Sequence, residues 1–162
     1  MKTEKTKRNG SKGKSSAVFE RIWSLATAIK EGRLDSRANL EGVIEADSEI
    51  LQSVNQLVDS IVSPLNVAAE YVDRISKGDI PPKITDSYNG DFNKIKNNLN
   101  TCIDAVNALT SDAGTLSKAA VEGKLATRAD ATKHQGDFQK IVKGVNDTLD
   151  AVIGPLDRKS VV

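Results

Sequence analysis

The sequence predicts an all-α protein built from tandem helix-connector-helix repeats, and three observations support this prediction. The apolar residues of 92–120 form two rows that each repeat every seven residues. Three similar glycine-containing phrases recur at intervals of 46 and 45 residues. Aromatic residues make up only 4% of the chain, which argues against a bulky globular core. Long thin helices that pair with other helices suit this composition.

The stretch 92–120 carries the clearest helical pattern. Rows that are offset by three and repeat every seven lie along one narrow seam of a helix, as in a coiled coil, and such a helix needs partner helices. The stretch contains no Pro, and its one Gly, Gly114, costs about 1 kcal/mol of helix propensity. It is therefore predicted to be one continuous helix. The rows are Phe92, Leu99, Val106, Ala113 and Ala120, and Ile95, Cys102, Leu109 and Leu116.

Charge and hydropathy restrict the partners of the chain. With 23 basic and 22 acidic residues, the net charge of +1 creates no global field that favours nucleic acid or an anionic membrane. Residues 1–16 hold six Lys or Arg and one Glu, which predicts a disordered basic leader. No run approaches the roughly 20 apolar residues of a membrane span, and no secretory signal is present. The predicted location is cytoplasmic, with membrane association only through a receptor partner.

Internal repetition organises the rest of the chain. A helical pattern ends three times in a similar phrase, KEGRL, SKGDI or VEGKL. Each phrase is followed by a polar connector and by a new helix with an apolar-Asn pair in its middle. The glycines are Gly32, Gly78 and Gly123, and the asparagines, 45 and 46 residues apart, are Asn55, Asn100 and Asn146. Two independent markers with one period indicate three repeats.

The connectors are predicted to be anchored and to join parallel helices. Each glycine is expected to end a helix with a positive φ. Two apolar or small residues follow at the second and sixth positions after it, where they would pin the connector to the helices. These anchors are Leu34 and Ala38, Ile80 and Ile84, and Leu125 and Ala129. The eleven residues 79–89 are long enough, at about 3.3 Å each, to return along a helix, so the next helix would run parallel to the first.

The second repeat, through SPLNVAAEYVDRISKGDI and TDSYNGDFNKIKNNLN, resembles a HAMP domain, the relay module of bacterial chemoreceptors and sensor histidine kinases. In that family a Pro lies near the opening of the first helix, Gly-Asp-Leu closes it, two apolar residues anchor the connector, and an acidic residue opens the second helix. By position, the resemblance implies structural and signalling roles for Pro64, Gly78, Ile80, Ile84 and Asp91. The third repeat matches through Gly123, Leu125 and Asp137, and the first through Gly32 and Leu34.

The resemblance implies a parallel four-helix coiled coil made by two chains. The sequence argues for a dimer independently, because a repeat of about 45 residues with a narrow apolar seam has too little apolar surface to fold alone. In the third repeat Leu109-Thr110 stands where the family has Pro, and the first connector is longer than the second. The predicted divisions are a leader (1–16), a divergent first repeat (17–62), a second repeat (63–108), a third repeat (109–156) and a tail (157–162).

No catalytic constellation, metal site or cofactor site is predicted. His134 is the only His and lies in a connector, which argues against a phosphotransfer role, and one His with one Cys builds no zinc cluster. Cys102 is predicted to be buried on the seam, and Trp23 to be a packing residue. Acidic residues predicted in first helical turns, where the helix dipole favours them, are Glu49, Asp91 and Asp137. The protein is therefore predicted not to be an enzyme.

The function that the resemblance implies is signal relay. A homodimeric coiled coil would transmit a conformational change to a methyl-accepting chemotaxis receptor or a histidine kinase output, of which this chain is a fragment or a partner. Small seam residues such as Ala113 fit a core with two packings of similar free energy. Two alternatives stay open: a static coiled-coil oligomerisation scaffold, and a nucleic-acid or membrane adaptor that acts through the basic leader. The relay interpretation requires no nucleic acid.

Overall fold

The structure, a computed structural model, describes residues 10–159, with side chains described for 17–153. This part of the chain forms four α-helices and one short 3-10 helix, and no strand occurs in it, which confirms the all-α prediction. The helices are α1 (Gly10–Lys30), α2 (Glu45–Ser76), α3 (Gly90–Val121) and α4 (Gly136–Lys159), and the 3-10 helix is Ala131–Lys133. We call the segments between the α-helices connector 1 (31–44), connector 2 (77–89) and connector 3 (122–135).

The described residues divide into two compact units, with the boundary between Val67 and Ala68, inside α2. The first unit contains α1, connector 1 and the first part of α2. Its core contains Val18, Leu25, Ala38 and Leu51, so residues from both helices and from connector 1 bury one another. The second unit contains the rest of α2 with α3 and α4.

Each of the first three helices ends in the same backbone motif around a glycine with positive φ, as the sequence predicts. The φ angles are +85° at Gly32, +79° at Gly78 and +73° at Gly123. The amide of the residue after each glycine donates to the carbonyl five residues earlier, at 2.9, 3.0 and 2.8 Å respectively. This is the Schellman motif, which satisfies carbonyls that the helix leaves unpaired. Glycine suits it because other residues are strained at such angles.

Several helix boundaries differ from the predictions. The continuous helix predicted for 92–120 is confirmed within α3. Residues 1–9 of the predicted leader lie outside the described residues, but α1 begins at Gly10, so the prediction of disorder to residue 16 is wrong for 10–16. Extending an existing helix fixes few additional dihedrals per hydrogen bond, which favours such growth. Pro64 lies inside α2, which continues through it without a break.

The structure corrects the prediction for Glu49 and shows what Trp23 packs against. Glu49 is not in a first helical turn, because α2 begins at Glu45 and its first turn holds Glu45 and Asp47. Trp23 packs against another side chain, as predicted, because it stacks on Phe19 with ring centroids 6.1 Å apart, although it is 62% exposed and lies outside the core of the single chain. Among the described side chains of α1, those of Val18, Leu25 and Ala28 are buried.

The seam of α3 is only partly covered within the single chain, since five of its nine side chains are half-buried and the other four are exposed. Cys102 is exposed, and Ile95 is 37% exposed, whereas Ile103 is fully buried. The prediction that Cys102 is buried is therefore wrong for the single chain. The intrachain core includes Ile103, on the helix face next to the seam, so the exposed part of the seven-residue rows remains available for another surface.

Candidate functional site: the connector clamps

An asparagine on the helix after each connector holds that connector in place. The side chain of Asn100 accepts a hydrogen bond from the amide of Ile84 at 2.8 Å and donates one to the carbonyl of the same residue at 3.0 Å. Asn55 binds Ala38 in the same way at 2.8 and 3.0 Å. Asn146 binds Ala129 at 3.1 and 2.8 Å. We call these three paired contacts the connector clamps.

The chemistry of the amide side chain explains why asparagine occupies this position. It carries one acceptor oxygen and two donor hydrogens, so it can satisfy both the N–H and the C=O of one residue, as a neighbouring strand would. A connector without secondary structure has no regular partner for these groups, and leaving buried ones unpaired costs about 1–3 kcal/mol each. The clamp therefore fixes the connector to the following helix at one defined residue.

The clamped residue is the second of the two predicted anchors in every connector. Ile84 and Ala38 are buried, and Ala129 is half-buried. At the first anchor, Leu34 and Ile80 are half-buried. Leu125 differs from the prediction, because it is 39% exposed and is not a buried anchor in the single chain. Burial is thus most consistent at the clamped position, where the hydrogen bonds hold the backbone.

A basic residue directly before each clamped residue adds an ion pair to the same helix. Arg37 binds Asp59 on α2 through its Nε and Nη2 groups, and Arg128 binds Asp150 on α4 at 2.9 and 2.6 Å. The third guanidinium nitrogen of Arg128 also donates to the carbonyls of Leu125 and Thr127, each at 2.7 Å. A planar guanidinium can make these contacts together, because its donors point in fixed directions.

Connector 2 carries a lysine at this position. Lys83 pairs with Asp104 at 2.7 Å, but its side chain is about half exposed, whereas that of Arg128 is mostly buried. An ammonium group is a point charge with no fixed fork of donors, and exposed pairs of this kind contribute about 0–1 kcal/mol. The ion pair of connector 2 therefore holds its backbone less tightly than those of the other connectors.

A second set of contacts joins connectors 1 and 3 to the preceding helix. Arg21 on α1 donates to the carbonyls of Asn39 and Glu41 at 2.5 and 2.8 Å. Asp112 on α3 lies 2.7 Å from Nε2 of His134, which is 4% exposed. His134 thus lies in its connector, as the sequence predicts, and its burial against a carboxylate gives it a structural contact. We call these two contacts the first-helix braces.

Two exposed carboxylates are stabilised in their charged form. At the start of connector 2 a hydrogen bond from Arg74 to Asp79, 2.6 Å long, lowers the pKa of the Asp79 carboxyl below its ordinary value. In connector 3, hydrogen bonds from the hydroxyl and the amide of Thr132 lower the pKa of Asp130. Such bonds weaken when the carboxyl is protonated, because a neutral oxygen is a poorer acceptor than a charged one. Both groups therefore stabilise their connectors more when ionised than when protonated.

The remaining predicted site residues lie where helices begin. Asp91 and Asp137 occupy the first turns of α3 and α4, as predicted. They pair with Lys94 and Lys140, each at 2.7 Å and with both partners exposed. Such pairs contribute little to stability, so these acids act mainly on the helix ends.

A groove between α3 and α4 opens at the surface of the second unit. Its volume is about 530 Å³, and most of its lining is apolar. Small side chains on α3, among them Ala113 and Ala120, form one wall. The large apolar side chains in the lining are Leu109, Leu116, Ile141, Val142, Val145 and Leu149. An apolar groove of this kind suits the side chains of another helix more than a polar ligand.

Neither a metal centre nor a membrane span is found in the part of the chain that the structure describes. Within it, no group of three or more His, Cys, Asp or Glu side chains is placed to bind a metal ion. None of its helices is both long enough and apolar enough to cross a bilayer.

Sequence reasoning identified the clamp asparagines as markers of the repeat but missed their role. It also missed the acidic partners Asp59, Asp104 and Asp150 and the basic residues before the anchors. A signal for them exists, because each acidic residue lies four positions after a clamp asparagine and shares its period. On a helix, residues four apart lie on one face, so the asparagine and the acid meet the same connector.

Comparison with known proteins agrees with this geometry. The family model of the HAMP domain matches residues 48–108 and 133–162, which together exceed half of the chain. None of the solved structures compared with the chain matches it. The matched segments include all three clamp asparagines and all of connector 2. The chain therefore belongs to the HAMP domain family, whose domains relay signals in receptors and kinases.

Proposed function

We propose that the chain is an array of three HAMP repeats, with the divisions 17–62, 63–108 and 109–156, that relays a conformational change along a parallel homodimer. The observation that carries the proposal is the set of apolar residues that the single chain leaves exposed at coiled-coil spacing. The array would not be an enzyme. It would pass its state to a receptor or histidine kinase output domain, such as that of a methyl-accepting chemotaxis protein, in the cytoplasm.

An exposed apolar row on α2 supports the dimer. Ile50, Leu57, Ile61 and Leu65 are each between 41% and 60% exposed, and their spacing of seven, four and four places them on one helix face. Removing a large aliphatic side chain from water contributes about 1.5–3 kcal/mol. A second copy of the chain has the same row and offers a matching surface, as in a symmetric dimer.

The groove between α3 and α4 supports the same arrangement in the second unit. Ile141 and Val145 line it and remain 50% and 41% exposed. In a four-helix bundle of two chains, the partner's helices would fill such a groove and cover the seam of α3. Because the α3 wall contains several small residues, more than one packing of the partner helix would fit at a similar free energy, which a relay requires.

Disulfide crosslinking tests the parallel dimer. The variant Leu99→Cys, made with Cys102→Ser, places one thiol per chain on the seam, while Asn97→Cys in the same background places it at an exposed position off the seam. We expect mild oxidation to crosslink Leu99→Cys several-fold faster than Asn97→Cys, because only the seam faces the partner. Equal rates, or a monomeric mass by light scattering with full helicity, would contradict the dimer.

The static scaffold predicts the same dimer but a single packing. Fusing the array to a receptor input and a kinase output and measuring the Leu99→Cys crosslinking rate with and without stimulus separates the two. A relay changes the rate on stimulation, whereas a scaffold keeps it constant while the dimer persists. The adaptor alternative depends on residues 1–16, whose side chains all lie outside the described ones. Deletion of that segment tests it by loss of binding to anionic vesicles or RNA.

A further inference from the structure

The first-helix braces occur at one position of the repeat. Arg21 and Asp112 each lie eleven residues before the glycine that ends their helix. Arg21 binds two carbonyls in the second half of connector 1, and Asp112 binds the side chain of His134 in the second half of connector 3. Connectors 1 and 3 are therefore bound to both flanking helices, by a brace from the helix before and a clamp from the helix after.

Connector 2 lacks the residue that would form a brace. The position eleven residues before Gly78 is Val67, whose side chain has no hydrogen-bonding atom. Past Asp79, the side-chain hydrogen bonds and ion pairs that the described residues make with connector 2 all come from α3. They involve Asn100, Lys96 and Asp104. Connector 2 is also one residue shorter than the other two.

Connector 2 relies on apolar burial in place of a brace. Pro81 is fully buried and Ile84 is 7% exposed, whereas the residues clamped in connectors 1 and 3 are alanines. The free energy gained by apolar burial depends on the area removed from water and not on the direction of the contact. A hydrogen bond, in contrast, weakens steeply once its distance or angle departs from the optimum. A helix held by apolar contacts can therefore rotate or shift by a small amount at low cost, whereas a braced helix cannot.

We propose that the middle repeat is the part of the array that changes conformation. In it, the last turns of α2 change their rotation or height relative to connector 2, while the braces hold α1 against connector 1 and α3 against connector 3. This inference rests on the proposed relay function and locates its conformational change. The ion pair between Arg74 and Asp79 does not oppose the movement, because both residues lie at the same helix end.

Pulsed electron paramagnetic resonance on spin-labelled copies of this 162-residue chain tests the inference. In a Cys102→Ser background, one label pair is placed by Glu70→Cys with Ser87→Cys, across the first helix and connector of the middle repeat. The matched pair in the third repeat is Thr115→Cys with Lys133→Cys, and all four positions are exposed. Labelled chains are diluted with unlabelled ones, so that each distance is measured within one chain.

We expect the 70–87 distance distribution to be broader than the 115–133 distribution by about 2 Å, the size of shift that packed helices make. Removing the brace from either side, by Asp112→Val or His134→Leu, should broaden the 115–133 distribution to match. Asp112→Asn, which keeps an acceptor for His134, should leave it narrow. Circular dichroism on each variant confirms that the helices persist, so a broadened distribution reports the brace and not unfolding.

Equal widths for the two label pairs would overturn the inference, as would a narrow 115–133 distribution in both brace variants. Light scattering on the same samples tests the proposed function separately. A monomeric mass refutes the dimeric relay, while the distance distributions within one chain still show whether the middle repeat is more variable in conformation than the third. A dimer with equal widths refutes only the location of the change.

Discussion

Connectors 2 and 3 place different side chains at the same positions. Connector 2 has Ile84 under its clamp and Lys83 before it, while connector 3 has Ala129 and Arg128. Connector 3 also contains a 3-10 helix and the buried His134, which is bound to Asp112. The comparison teaches that one fold can hold an extended segment either mainly by apolar burial or mainly by directional polar contacts. The two solutions should differ in stability, in mobility and in response to acid.

The largest expected effect is the loss of the apolar anchor in connector 2. Replacing Ile84 by Ala removes a side chain that is almost fully buried, which should lower the free energy of unfolding by about 2–4 kcal/mol. The control Ile80→Ala truncates a half-buried side chain of the same connector and should cost clearly less. Urea denaturation followed by circular dichroism measures both. If the two variants lose the same small amount, connector 2 does not rely on its apolar anchor.

Removing a clamp should have the next largest effect on stability, in connector 2 and in connector 3 alike. Asn100→Ala and Asn146→Ala each leave one connector amide and one carbonyl without their partner, so each should cost about 1–3 kcal/mol. Asn98→Ala, at an exposed position of α3, should stay within about 0.5 kcal/mol of the parent chain. Chemical denaturation measures the free energy of unfolding of each variant. A clamp variant as stable as the Asn98 control would show that water replaces the hydrogen bonds of the clamp side chain at no cost in stability.

A smaller effect is expected at the helix ends. Gly78→Val forces a β-branched residue to a φ of +79°, and because no atom lies within 4 Å of the added Cβ, the cost is backbone strain alone, about 1–2 kcal/mol. Gly123→Val should cost a similar amount, since its φ is +73°. Gly144→Ala is the matched control inside α4, where alanine should stabilise the helix by about 1 kcal/mol. If thermal melts show Gly78→Val to be as stable as Gly144→Ala, the turn at Gly78 is not strained.

The smallest expected effect is that of acid on stability, which should act through Asp79 in connector 2 and through Asp130 in connector 3. Because the pKa values of Asp79 and Asp130 are lowered in the folded chain, their contributions to stability are present above the unfolded pKa of about 4 and are lost as the pH falls through the lower folded pKa. Asp79→Asn and Asp130→Asn should each flatten the stability profile below about pH 5. Thermal melts between neutral and acidic pH measure this.

Hydrogen exchange separates the two contributions in that experiment. In the parent chain, acid should speed the exchange of amides around Gly78 and around the 3-10 helix more than that of other amides. Asp79→Asn should remove the selective increase around Gly78, and Asp130→Asn that around the 3-10 helix. Parallel profiles for the parent and both variants would show that these exposed carboxylates do not act on stability.

The sequence by itself determined the elements and their period. The seven-residue rows predict the continuous α3, and the glycine phrases predict three helix ends with positive φ, because helix periodicity and backbone strain act over a few neighbouring residues. The spacing of the asparagines and of the second anchors was also visible. What the asparagines do was not, because nothing in one stretch of sequence specifies a partner in another.

Only the tertiary structure decided which residues meet. Asn55 and Asn146 bind residues 17 positions earlier, and Asp112 binds His134 across 22 positions. These pairs depend on the path that each connector takes between its helices. The exposure of Leu125 and of Cys102 was decided in the same way, since a residue's period gives its helix face or loop position but not the surface that covers it.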